Sequence, residues 1–156
     1  MNVIGGVTGI TPSDLTVTNL HLGARVPEPG KRREFFANPW AMAFTTQSGT
    51  GSAYVVSAAS DLLVKLNVDA IGNLAFTTET NTTHYIDLND PLTPATSGAN
   101  AGKNPQGIAI TSSGGLAYVA NFVSRNVSVV NLTNDAVIAV VPTSDLLYIL
   151  TFYISS

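Results

Sequence analysis

One phrase occurs twice in this chain, and the recurrence constrains the fold more than anything else in it. Asn38-Pro39-Trp40-Ala41-Met42-Ala43-Phe44, a Gly-rich gap and Ala53-Tyr54-Val55-Val56-Ser57 align with Asn104-Pro105-Gln106-Gly107-Ile108-Ala109-Ile110, a second Gly-rich gap and Ala117-Tyr118-Val119-Ala120-Asn121. The match continues with Ser60-Asp61-Leu62-Leu63-Val64-Lys65-Leu66-Asn67 against Ser124-Arg125-Asn126-Val127-Ser128-Val129-Val130-Asn131. A unit repeated within one chain is a supersecondary element that buries its apolar faces by stacking on its neighbours.

Turn chemistry divides the second copy into four short runs, Gly107 to Ile110, Leu116 to Ala120, Val127 to Val130 and Ala136 to Val141. The separators Ser112-Ser113-Gly114-Gly115, Ser124-Arg125-Asn126 and Thr133-Asn134-Asp135 supply positive φ and local side-chain hydrogen bonds. Runs rich in Val, Ile, Ala and Tyr suit strands packed on both faces. The first copy follows suit, with Gly72-Asn73 as the turn before a run from Leu74 to Thr78. Four short antiparallel strands make one blade of a β-propeller, so the fold class expected is all-β, an incomplete β-propeller of four-stranded antiparallel blades.

Pro105-Gln106-Gly107-Ile108-Ala109, Tyr118-Val119-Ala120-Asn121 and Asn126-Val127-Ser128-Val129-Val130-Asn131 closely resemble the blade phrases of the YVTN-repeat β-propellers of bacteria and archaea, a WD40/YVTN-like repeat. The first copy departs from the pattern at Trp40-Ala41 and Ser57. The resemblance covers roughly residues 38–78 and 104–141. It implies the fold and says little about function, because many functions share one propeller architecture.

The copies lie farther apart than the roughly 40 residues of such a blade. The excess falls between Glu79 and Lys103, a Thr/Asn/Pro/Gly-rich stretch expected as an inserted loop. The organisation expected is therefore a partial preceding blade and Pro/Gly-rich loop over 1–37, a degenerate blade over 38–78, the insertion over 79–103, a blade over 104–141 and an apolar tail over 142–156. Val3 to Leu20 reads as the closing strands of the preceding blade, and Leu146 to Ile154 abandons the repeat. Propellers close with about four to eight blades, so two of them are expected to be part of a larger whole and to self-associate through uncovered faces.

Composition bears on function chiefly by exclusion. Charged residues are 11% and the net charge is -3, which gives no basic face for nucleic acid. Lys31-Arg32-Arg33, beside Glu34 and between prolines, reads as a solvated loop. Cysteine is absent, which removes disulfides, thiolate metal sites and covalent haem attachment from this chain. No apolar run is long enough to span a membrane, and Met1 to Gly6 has no signal-peptide character. The Ser, Thr and Asn richness points to a periplasmic or cell-surface parent protein.

Few residues invite chemistry. Gly98-Ala99-Asn100-Ala101-Gly102-Lys103-Asn104 has the wrong glycine spacing and no hydroxyl residue for a phosphate loop, and reads as a flexible lead-in to the second copy. His21 and His84 lack a second ligand at metal spacing and read as surface loop residues. Asp61, Asp69, Asp87, Asp90 and Asp135 fall in turns, where carboxylates accept backbone hydrogen bonds. Trp40 is expected to pack between blades. Asn81, Asn126 and Asn131 match the glycosylation pattern incidentally.

These residues predict a non-enzymatic propeller portion, without a cofactor or metal, that serves a binding or scaffold module. Asp87, Asn89, Asp90 and Lys103 on the inserted loop are the candidate partner contacts, the partner being a protein or the remaining blades. The alternative is the haem-free propeller part of a redox protein, either associated with a c-type cytochrome or similar to a quinoprotein dehydrogenase.

Overall fold

The computed structural model describes residues 2–5, 16–19, 36–46, 49–79 and 82–143. His21, the Lys31-Arg32-Arg33 run and the apolar tail from Leu146 lie outside them. Strands β1 (Asn2–Gly5) and β2 (Thr16–Asn19) pair antiparallel, with Asn2 opposite Asn19. The remaining strands build two antiparallel sheets, each four strands deep, and the fold is all-β without being a closed barrel.

The first sheet runs β3 (Pro39–Phe44), β4 (Gly51–Ser57), β5 (Leu62–Val68) and β6 (Leu74–Phe76). After β6 the chain makes a small hairpin, β7 (Thr78–Glu79) with β8 (Thr82–Thr83), and returns as β9 (Tyr85–Asp87). The second sheet runs β10 (Pro105–Ile110), β11 (Leu116–Asn121), β12 (Asn126–Asn131) and β13 (Ala136–Pro142). In the second sheet each strand is joined to the next by a short turn, which antiparallel pairing permits.

The two copies share backbone irregularities as well as sequence. Asn38 and Asn104 both sit at positive φ, 56° and 55°, where a short polar side chain is tolerated far better than a branched one. The following proline opens the strand, and a bulge falls between Pro39 and Ala41 in one copy and between Pro105 and Gly107 in the other. Asn38 O accepts from Ala58 N–H at 2.9 Å, and Asn104 O from Phe122 N–H at 3.0 Å. The next turn is set by a second pair at positive φ, Asp61 at 55° and Arg125 at 52°.

The fourth strand of the first sheet is interrupted. β6 pairs with Leu66–Val68 of β5, and β9 pairs with Leu62–Val64. Between them, Lys65 O accepts from Thr77 N–H and Lys65 N–H donates to His84 O, while His84 N–H closes the hairpin base on Thr77 O at 2.7 Å. The stretch from 79 to 103, expected as a single inserted loop, thus supplies β9 to the sheet. The run from Leu74 to Thr78 also breaks at Thr77. Alternation in this segment is too short to signal a strand resumed after an excursion.

Alternation along the strands produces two faces on each sheet. The forward face of the first sheet carries Tyr54, Val56, Leu63 and Ile86, and packs on Ile108, Ala117, Val119 and Val130 of the second, with Leu88 and Leu132 completing the core. The sheets meet along β3, β4 and β10. A fully buried aliphatic or aromatic side chain contributes about 1.5–3 kcal/mol, so this layer dominates the stability of the pair. The rear face of the first sheet buries Ala53, Val55, Val64 and Leu66 with Phe36, Phe76 and Tyr85 around them. Trp40, expected between the sheets, is 58% exposed: Ala41 and Ala43 take the forward face, and Trp40 lines a shallow cleft with Met42 and Val55 of the rear face.

Candidate functional site

The sheet interface holds one cluster of titratable side chains. Strand alternation places Lys65 on the forward face with Tyr54 and Leu63, an awkward position for an ammonium unless a counter-charge meets it. Asp135, in the β12–β13 turn of the second sheet and at φ 52°, supplies that charge. Its Oδ1 accepts from the Tyr54 hydroxyl at 2.7 Å and its Oδ2 from Lys65 Nζ at 2.5 Å. His84 Nε2, at the base of the hairpin, lies 3.2 Å from the same Oδ2. Lys65 Nζ also stands 5.8 Å from the centre of the Tyr54 ring.

Burial, then the hydrogen bond to Asp135 and that residue's charge, push the Tyr54 phenol well above its ordinary value, so it stays a donor across the physiological range. Both oxygens of Asp135 are engaged by donors of the first sheet. A carboxylate held in this way cross-links the sheets.

All four residues were unassigned or read as isolated turn or loop positions in the sequence. Lys65 carried the available signal, being the one charge in the strand Leu62-Leu63-Val64-Lys65-Leu66-Asn67-Val68. Its partner, far along the chain, had none. His84, expected on the surface, is drawn into the cluster because Lys65 bonds to its carbonyl.

The expected partner-contact residues occupy the connection after β9. Asp87 Oδ1 accepts from Asn89 N–H at 2.9 Å, and Asn89 Nδ2 donates to Asp61 Oδ2 at 2.9 Å. Asp61 Oδ1 accepts from Asn104 N–H at 2.7 Å, which ties this connection to the start of the second copy. Asp90 is buried and turned inward, its carboxylate accepting from Leu92 N–H and the Thr93 hydroxyl. Lys103 is exposed and its N–H donates to Ser124 Oγ at 3.0 Å. Thus Asp87 and Asn89 come together, whereas Lys103 stands apart on the surface.

Two 3-10 turns, Pro94–Thr96 and Gly98–Asn100, order the rest of the connection. The Gly98 to Asn104 segment, expected as a flexible lead-in, is packed: Ala101 and Gly102 are buried, and Gly102 N–H donates to Leu88 O at 2.6 Å. A β-carbon on Gly102 would stand 2.8 Å from Asn121 Nδ2 and 2.9 Å from Ser128 Oγ. Those atoms belong to a buried network in which Asn121 Nδ2 donates to Asn126 Oδ1 and Ser128 Oγ, and Asn126 Nδ2 to Ala101 O. Asn126, which matches a glycosylation site in sequence, is therefore inaccessible.

Among the described residues no group of three His, Asp or Glu side chains is placed to hold a metal ion. A cleft of about 120 Å³ lined by Pro39, Trp40, Ala41, Met42 and Val55 is small beside the roughly 300–1,000 Å³ of small-molecule sites. The arrangement is best equipped to fasten one sheet to the next.

Comparison with known protein families and with curated proteins finds no match. Among solved structures, the chain is similar to a functionally unknown protein from Desulfotomaculum acetoxidans DSM 771, with a TM-score of 0.52 and 19% identity. The match covers 69% of this chain and 29% of that one, so it spans under a third of the longer protein. At that identity the likeness bears on the fold alone.

Proposed function

We propose that the chain is the two-blade portion of a β-propeller of the YVTN-repeat kind, and that it works as a non-enzymatic binding or scaffold module in an extracytoplasmic protein. The observation that carries this reading is the way the two repeats stack: the forward face of the first sheet lies on the rear face of the second, in the order that radial repetition requires. The titratable side chains at the interface are spent on joining the sheets. Strands β7 and β8 and the connection at 88–104 would present partner contacts, Lys103 being an exposed charge among the described residues there. The partners would be protein, including further blades.

Absorption spectra and turnover assays on the purified full chain test the proposal. The expected result is no Soret band after gel filtration with added haem and no steady turnover of hydrolase or dehydrogenase substrates. A stoichiometric Soret band that co-elutes with the protein, or sustained turnover, would overturn it.

A further inference from the structure

The contact between Lys65 and Asp135 is enclosed and pre-aligned. It joins side chains 70 positions apart in the sequence, which are only 20% and 10% exposed. Strands β4 and β5 hold Tyr54 directly opposite Lys65, so a phenol and an ammonium are presented side by side to one carboxylate. Asp135 itself is fixed in its turn at φ 52°. Its Oδ2 takes Lys65 Nζ at 2.5 Å and its Oδ1 takes the Tyr54 hydroxyl at 2.7 Å, while His84 Nε2 stands 3.2 Å from Oδ2. An amine, an acyl carbon, a donor on one acyl oxygen and a proton carrier beside the other are the parts of an amide-forming site.

We propose that Lys65 Nζ and Asp135 Cγ condense to an isopeptide bond, which joins the two sheets covalently. The ammonium passes one proton to Oδ2, giving an amine and a carboxylic acid. Nζ then attacks Cγ, and the negative charge that develops on Oδ1 is held by the Tyr54 hydroxyl. His84 Nε2 takes the second proton from the nitrogen and delivers it to Oδ2, which departs as water when its bond to Cγ breaks. One ammonium and one carboxylate thus become one amide and one water, and no oxidant, cofactor or activating group is consumed.

In dilute solution the reverse reaction, hydrolysis, prevails. Groups held in contact act at effective concentrations of about 10⁵–10⁸ M, which favours joining, and the neutral amide sheds the cost of keeping two charges out of water. The bond constrains the chain as a disulfide would, in a sequence that has no cysteine to form one. It needs only the two sheets in contact, and so stands or falls separately from the propeller reading.

Intact-mass spectrometry tests this on the full chain, kept for several days at neutral pH with its fold followed by circular dichroism. The expected mass is lower than that of the sequence by one water. Digestion should yield a branched peptide that carries both Lys65 and Asp135, with tryptic cleavage after Lys65 lost. Lys65→Arg keeps the positive charge and should retain the full mass. Tyr54→Phe should slow joining by at least about tenfold, and His84→Gln should slow it several-fold. A folded chain that keeps its full mass would overturn the inference and leave the contact an ion pair. Loss of water without the branched peptide would overturn it as well, since that marks a succinimide at Asp135. Unchanged joining in Tyr54→Phe and His84→Gln would overturn the roles given to those two side chains.

Discussion

At the scale of single residues, the interface depends on a carboxylate that serves two donors. Removing it by Asp135→Ala leaves the Lys65 ammonium and the Tyr54 hydroxyl buried without their acceptor, at a cost of about 2–4 kcal/mol read as a fall in the urea midpoint. The raised Tyr54 pKa also fixes the sign of an alkaline effect. Below a pH of about 10 the phenol is protonated in both folded and unfolded chains, so its contribution is fully present. Above that the unfolded chain loses the proton first and stability falls as pH rises. Tyr54→Phe should flatten this part of the pH profile in denaturation curves. Gly102→Ala tests a different contact: a methyl group 2.8 Å from Asn121 Nδ2 forces the buried amide network apart, and thermal unfolding should show a loss of about 1–3 kcal/mol.

At the scale of elements, legibility followed the length of the local signal. All four runs of the second copy were readable, because Gly115, Asn126 and Asp135 mark the turns and Val, Ile and Tyr fill the strands between. Asn104-Pro105 was recognisable as a repeated phrase, although nothing in one sequence shows that the asparagine adopts positive φ. β9 was missed, since Tyr85-Ile86-Asp87 is too brief to announce itself and is recruited by hydrogen bonds from a strand already formed. The Tyr54, Lys65, His84 and Asp135 cluster was equally hidden, because sheet stacking alone brings Asp135 within reach. The register makes a further prediction. Phe76 opposes Leu66 and Tyr85 opposes Val64, so a single residue between them would complete the strand opposite Lys65. Deleting residues 77–83 leaves His84 in that place, and the circular dichroism spectrum should persist with stability changed by no more than about 1 kcal/mol.

At the scale of the whole molecule, the two sheets differ in how well they are covered. The first is buried on both faces, the second on one. Light scattering of the purified chain at micromolar concentration should therefore show a mean mass above that of the monomer. Ile138→Glu combined with Val141→Lys, both on the exposed surface of β13, should return it to the monomer mass. A sharp monomer peak from the unsubstituted chain would contradict this expectation. The clasp at the interface bears on the order of the repeats. Its donors all come from the first copy and its acceptor from the second, and Val129 stands where the second copy would need a lysine to reciprocate. A chain with the two copies exchanged would retain both apolar faces yet strand its charges, so the sequence of the repeats along the polypeptide is written in one carboxylate and works as an address.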